Sequence, residues 1–454
     1  MNHTLNGICL LSLLVMFSCT ADQQSSDDYP TPPQTPAWAH NATIYEVNIR
    51  QYTQDGTFQA FSEHLPRLKE MGVDILWLMP IHPIGEEERK GTLGSYYSVK
   101  DYYGINPEFG TEEDFAQLVE DIHDNDMHII LDWVANHTAW DAVWTETHPH
   151  IYVTDDGGNF IIPPGTDWTD TIQLDYELTE TREMMHDALL YWVEEFNIDG
   201  YRCDVADLVP TDFWNETRSR LEAVKPVFML AEAETPEHHL HAFDMSYAWE
   251  THHRMNEIAD GEITLNEFEE HLVENQDQFP EHAYRMQFTS NHDENSWNGT
   301  VFDRYGDGAE TFAVLAATIP GMPLVYSGQE AAMDKQLDFF EKDPIDWGDY
   351  PLQDFYTRLL HLNRDNEALF NGLHGGDMER INTSADDQIF AFYRQKGDNT
   401  VITLLNLSAE PVTFDVPLEV SAGDYTELFS EEQTRLATQE SWSFNPWEYR
   451  VYHN

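Results

Sequence analysis

The sequence is short of positive charge. Against 83 Asp and Glu it carries 23 Lys and Arg, a formal net charge of −60. Phosphate backbones are bound by basic faces, so a nucleic-acid partner is excluded and an anionic membrane surface is equally disfavoured. Cysteine is almost missing, at three residues. Cleavage before Cys19 would leave that residue and Cys203, so no structural disulfide is expected, and no His/Cys spacing suits zinc. Beyond the N-terminal stretch no apolar run is long enough for a membrane helix. No glycine-rich phosphate loop follows the first β-like segment, which argues against a dinucleotide fold.

What is present points to an exported, carbohydrate-facing protein. Ile8 to Phe17 is an apolar stretch of signal-peptide length ending at Met16-Phe17-Ser18-Cys19. It reads as residues 1–19 of a signal peptide with a lipobox-like Cys19, anchoring the chain to a bacterial envelope membrane. Residues 20–36 are polar and Pro-rich and read as a disordered tether. Thirteen Trp and 21 Tyr supply flat faces for stacking on sugars or for a core. The acids are spread along the chain instead of forming one tail, the pattern of a salt-adapted surface whose self-repulsion is screened by ions.

From about residue 37 short β-branched or aromatic runs alternate with amphipathic segments, as in βα units. Eight runs read as strands: 44–52, 75–80, 128–134, 200–204, 227–233, 245–249, 284–290 and 323–329. Between them lie helical segments, one over Phe61–Gly72 and one beginning at the N-cap Thr111. The rhythm predicts a (β/α)8 TIM barrel over 37–371, with a short inserted subdomain over 138–176 after the third strand. After residue 371 alternating strands predict a C-terminal antiparallel β-sandwich over 372–454.

Four barrel strands finish on polar signatures. These are Asp132-Trp133-Val134-Ala135-Asn136-His137, Gly200-Tyr201-Arg202-Cys203-Asp204, Leu230-Ala231-Glu232 and Ser290-Asn291-His292-Asp293. At the ends of strands three, four, five and seven they would converge on the barrel mouth. In this order they closely resemble the four sequence regions of the α-amylase superfamily of glycoside hydrolases, and the resemblance covers essentially the whole mature chain. It implies Asp204 as nucleophile, Glu232 as general acid/base and Asp293 as third carboxylate. It also implies that Arg202, His137 and His292 bind beside the reacting sugar and that Tyr97 stacks under it.

The residue types suit that chemistry. Retaining hydrolysis uses an ionised carboxylate and a protonated one, about 5–5.5 Å apart. Arg202, two residues before Asp204 on a strand, faces the same side and is expected to keep Asp204 ionised. Glu232 needs a raised pKa, from burial and Asp293. Glu234 and Tyr96 are the rivals of Glu232 and Tyr97; His82 reads equally as substrate-facing or structural, and Cys203 as inert packing. No cofactor is needed for the chemistry, but a structural Ca2+ is an open expectation, with Asn136 and Asp175 as ligands and Asp167 and Asp170 adding oxygens.

The expected substrate is a starch-type α-1,4-glucan or maltooligosaccharide. Asp204-Val205-Ala206-Asp207-Leu208 lacks the Lys-His pair of many starch-cleaving relatives, and Ile172–Tyr176 fits neither endo-acting nor oligosaccharide-acting versions. An exo-acting glucosidase or transglycosylase on short α-glucosides, or a non-catalytic glycan-binding lipoprotein, therefore stays open. Oligomeric state leaves no mark in the sequence.

Overall fold

The computed structural model describes residues 32–418 and 422–454. The signal peptide, Cys19 and most of the expected tether lie outside the described residues. The tether's last residues are docked: Pro33 is buried, and Arg218 donates to the Gln34 carbonyl at 2.9 Å.

Eight parallel strands close a barrel: β1 (Ile44–Val47), β2 (Ile75–Leu78), β3 (His128–Trp133), β4 (Gly200–Cys203), β5 (Phe228–Ala231), β6 (Met245–Tyr247), β7 (Tyr284–Gln287) and β8 (Met322–Tyr326). Each pairs with its neighbour in sequence, and β8 closes onto β1 through Ile44 opposite Leu324. The strands are buried on both faces because helices cover the outside, which is why they read as short unbroken apolar runs. Side chains alternate between the two layers. Ile44, Trp77, Ile130, Leu230 and Met286 fill the interior, while Tyr45, Leu76, Leu131 and Met229 pack outward into the helical layer.

That alternation decides where the polar residues go. Glu46 is in phase with Ile44, Asp132 with Ile130, Arg202 and Asp204 with Gly200, and Glu232 with Leu230. The inward phase therefore carries each strand from an apolar floor to a charged mouth.

Two sequence expectations need correcting in detail, the first being that residues 49–52, read as the end of the first strand, form a helical turn. The helix expected over Phe61–Gly72 is two helices, Phe58–Ser62 and Leu65–Met71, because Pro66 sits in the first turn of the second and supplies no N–H to continue the first. Gly72 does stop the second, in the left-handed region. The helix over Glu112–Asp124 starts at Thr111 with a reciprocal capping box to Asp114.

The insertion rises from the end of β3 as a short antiparallel ladder, His137–Ala139 against Thr171–Gln173. The C-terminal strands are β9 (Met378–Arg380), β10 (Ile389–Lys396), β11 (Asn399–Asn406), β12 (Val412–Pro417), β13 (Gly423–Glu427), β14 (Gln433–Leu436), β15 (Gln439–Phe444) and β16 (Tyr449–His453). They form a six-stranded sheet, β9-β10-β11-β16-β13-β14, and the pair β12-β15. Ile402, Leu404, Phe414 and Phe444 fill the space between them. The sheet's other face, with Phe390, Phe392 and Val451, joins the core that covers the barrel. Trp447 packs on Phe312 at this junction and Trp442 on Tyr452, so both serve packing.

One glycine fixes how closely β4 and β5 approach. Gly200 has φ +148°, and a Cβ there would lie 1.8 Å from the Phe228 carbonyl oxygen. Gly200→Ala is expected to cost on the order of 3 kcal/mol through backbone clash. Chemical denaturation measures this; an unchanged midpoint would show that β4 and β5 can separate freely.

Candidate active site

Arg202 leaves β4 fully buried, beneath a cavity of about 500 Å³ at the barrel mouth. Its Nη1 lies 2.9 Å from Asp132 Oδ1 and 3.1 Å from Asp204 Oδ1, and its Nη2 lies 3.0 Å from Glu232 Oε2. Its Nε donates to the Tyr247 hydroxyl at 3.2 Å. One guanidinium thus grips carboxylates from β3, β4 and just beyond β5. Trp77 Nε1 and the Tyr97 hydroxyl each donate to Asp132 Oδ2 at 3.0 Å, which completes the pairing of that buried acid.

The backbone after Asp204 is strained. Val205 has φ +37° and ψ +50°, a left-handed conformation unfavourable for a β-branched residue. This turn aims the Val205 N–H at Glu232 Oε2, at 2.7 Å. Both fixed positive partners of Glu232 therefore meet Oε2 and leave Oε1 for a proton. Arg202 likewise meets Oδ1 of Asp204 and leaves Oδ2 free.

Arg202 favours the ionised form of Asp204 against burial and the Glu232 charge. Its charge is divided among three acids. Burial, then the Glu232 charge, push Asp204 well above the usual carboxylate range, with Arg202 opposing. Burial also raises Glu232, against Arg202 and with help from Asp293. The two acids consequently titrate as a pair that keeps a proton to higher pH than free carboxyls.

His292 is clamped from both sides. Its Nδ1 lies 2.5 Å from Glu46 Oε1, and its Nε2 lies 2.8 Å from the Tyr97 hydroxyl and 3.3 Å from Asp293 Oδ2. Burial opposes its charge, but Asp293 and Glu46 outweigh burial and carry its pKa up to about 9. His137 is the opposite case. Burial lowers it to about 3, so the ring is neutral. Asn136 Nδ2 donates to its Nδ1 at 3.2 Å, leaving the ring proton on Nε2.

Tyr97, His137, Asp204, Glu232, His292 and Asp293 all line the cavity, and Arg202 lies directly beneath. Tyr96 does not line it; the ring lies under Arg50, 4.2 Å from its guanidinium carbon. Glu234 faces another cavity and pairs with Arg285 at 2.5 Å. His82 is structural: its ring, neutral with a pKa of about 4 from burial, meets the Gly104 carbonyl among Trp133 and Trp192. Cys203 is buried, and burial raises its thiol far above the usual range. The sequence named no role for Glu46 or for Asp132, although a lone acid within an apolar strand run is a signal for each.

The calcium ligands do not fit together. Asn136 Oδ1 accepts from Gln173 Nε2 at 2.9 Å, so an amide donor stands where a cation would be needed. Asp175 Oδ1 accepts from the Glu177 N–H of its own turn. Lys90 Nζ lies 3.2 Å from Asp170 Oδ1 and donates to the Asp167 carbonyl at 3.1 Å. Among the described residues no group of three or more His, Cys, Asp or Glu could hold a metal ion.

The His292 clamp has a definite sign with pH. Its folded pKa of about 9 exceeds the unfolded value of about 6.5, so its stabilisation is complete below the latter and lost as pH rises through the former. Imidazole NMR of wild type and Glu46→Gln measures this: the midpoint is expected near 9 in wild type and lower in the variant. A wild-type midpoint near about 6.5 would dissolve the clamp.

Comparison with known proteins agrees with this geometry. The family model described as "Alpha amylase, catalytic domain" matches residues 28–158 and 166–348, and "Maltogenic Amylase, C-terminal domain" matches 378–451. "Alpha-amylase MalA" of Haloarcula japonica is 27% identical over 428 residues, 88% of this chain; the alignment spans 60% of that relative's length. The solved maltogenic α-amylase AmyB of Thermotoga neapolitana superposes with TM-score 0.82 at 29% identity, over 92% of this chain and 99% of its own. An α-amylase of Lactobacillus plantarum gives 0.80 at 30% identity, over the same shares of 92% and 99%. A closed barrel with these four strand ends, matched over most of its length, belongs to the α-amylase family of glycoside hydrolases.

Proposed function

We propose that the protein hydrolyses α-1,4-glucosidic bonds of starch-type glucans or maltodextrins with retention of configuration. The observation that carries this is Arg202's shared grip on Asp204 and Glu232 at the cavity floor. A single guanidinium reaching both sets the two carboxyls side by side at the cavity floor, the arrangement a retaining pair needs. Relatives bearing the names α-amylase and maltogenic α-amylase support the same substrate class.

In the working form Asp204 is ionised and Glu232 carries the pair's proton on Oε1. Asp204 Oδ2 attacks the anomeric carbon while Glu232 passes its proton to the departing glycosidic oxygen, giving a glycosyl ester on Asp204. Glu232, now a carboxylate, takes a proton from water; the water oxygen attacks the anomeric carbon and Asp204 leaves as carboxylate. Asp293, held beside His292, binds the hydroxyls of the reacting ring, and the neutral His137 donates from Nε2. Tyr97, parallel to His292 within 22°, forms the platform beneath that ring.

Export and lipid attachment at Cys19 belong to the same reading, supported by the apolar stretch before that cysteine. So does a salt-adapted surface: the formal charge of −60 repels itself until counter-ions screen it.

Asp204→Asn is expected to lower turnover of maltoheptaose by about 10³-fold or more while maltooligosaccharide binding persists. Reducing-sugar release and calorimetry measure the two effects, at low salt and in molar NaCl. Unchanged turnover would assign the nucleophile elsewhere, and loss of wild-type activity in molar NaCl would contradict the salt-adapted surface.

A further inference from the structure

The cavity is walled on one side by Lys90 and Asp170. Its wall there joins three segments far apart in sequence: the loop of residues 85–95 after β2, the end of the insertion near Asp170, and Phe339–Phe340 after β8. The loop is pinned along its length. Arg89 Nε donates to the Gly85 carbonyl at 2.6 Å, and Arg50 Nη1 to the Gly94 carbonyl at 3.1 Å. Leu93 N–H donates to the Phe340 carbonyl at 3.1 Å, and Thr92 binds the Glu341 carboxylate through its N–H at 2.8 Å and through its hydroxyl. Gly91, at φ +63°, rests so close to Phe340 that a Cβ would come within 2.4 Å of that residue's own Cβ. The fixed loop then sends Lys90 across the gap to Asp170, whose side chain is 4% exposed against 30% for Lys90.

This wall adjoins Tyr97, the platform assigned above to the reacting ring. Asp170 is anchored through its carbonyl by the Ser98 hydroxyl at 2.8 Å, next to Tyr97. Tyr97 lies parallel to Phe339 at 6.3 Å, and Phe339 and Phe340 both touch Trp297, which is 55% exposed. The aromatic row therefore runs from Tyr97 through Phe339 to Trp297, and Lys90 and Asp170 line the same cavity.

We propose that Lys90, through Asp170, is a specificity-determining residue that closes the glycone end of the cleft. The chain of an α-glucan enters by its non-reducing end, that end stops against the Lys90–Asp170 bar, and short products leave. This rests on the hydrolase reading above. Exo action follows from the bar, whereas an open cleft would pass a glucan through and cut it internally.

The test compares two chromogenic maltoheptaosides, one free and one blocked at its non-reducing end, with wild type, Lys90→Ala and Lys90→Arg. Wild type is expected to prefer the free substrate by about tenfold or more. Lys90→Ala should narrow that preference and lengthen the products, and Lys90→Arg, which can still reach Asp170, should restore both. Equal turnover of blocked and free substrate by wild type would overturn the proposal, as would a preference that Lys90→Ala leaves unchanged. A Lys90→Ala protein that fails to fold would shift the decision to Asp170→Asn, scored in the same way. Absence of turnover by wild type on both substrates would overturn the hydrolase reading itself, and the bar with it.

Discussion

Everything at the barrel mouth depends on one buried cation. Arg202 has no exposed surface, and burying a guanidinium is tolerable only with charged partners at contact distance. It takes three, from three neighbouring positions around the barrel, and so locks the relative heights of β3, β4 and β5. The acids outnumber the cations: Glu46, Asp132, Asp204, Glu232 and Asp293 face Arg202 and a charged His292. Such a cluster retains protons, and a retained proton on a carboxyl is what an acid catalyst at near-neutral pH requires.

Around this charge cluster the structure accepts strain and spends rigidity. Val205 is twisted into a left-handed turn to put its N–H on Glu232, and the segment after β8, the insertion and the loop after β2 are tied together by hydrogen bonds and the Lys90–Asp170 ion pair. Fixed dipoles and charges act on a developing transition state without reorganising, which is where most of a glycosidase's rate is expected to arise. The same ties hold Lys90 against Asp170 at the cavity wall, so positioning and the proposed specificity have a common structural cause.

Much of this was legible in the sequence because parallel barrel strands are short, apolar and regularly spaced. All eight barrel strands begin within one residue of the runs, although the first ends at Val47, and the period-two phase from Ile44, Ile130, Gly200 and Leu230 places their polar ends inside. Legibility failed where a role depends on a distant partner. Glu46 meets His292 across 246 positions of sequence, and Lys90 meets Asp170 only because the insertion folds back. Asn136 looked like a calcium ligand until Gln173 was found at its oxygen. In the C-terminal domain some strands are polar, as Gln433–Leu436 shows with one buried residue in four. Strands that bury so little carry almost no pattern.

The central claim is that Asp204 and Glu232, bridged by Arg202, act as nucleophile and acid/base on opposite sides of the scissile bond. The anomeric configuration of the first-formed product tests it most directly, by proton NMR recorded within the first minutes of maltoheptaose cleavage, before mutarotation. The account predicts the α-anomer. Initial release of the β-anomer would mean single-step inversion, and would contradict the roles assigned to both carboxylates.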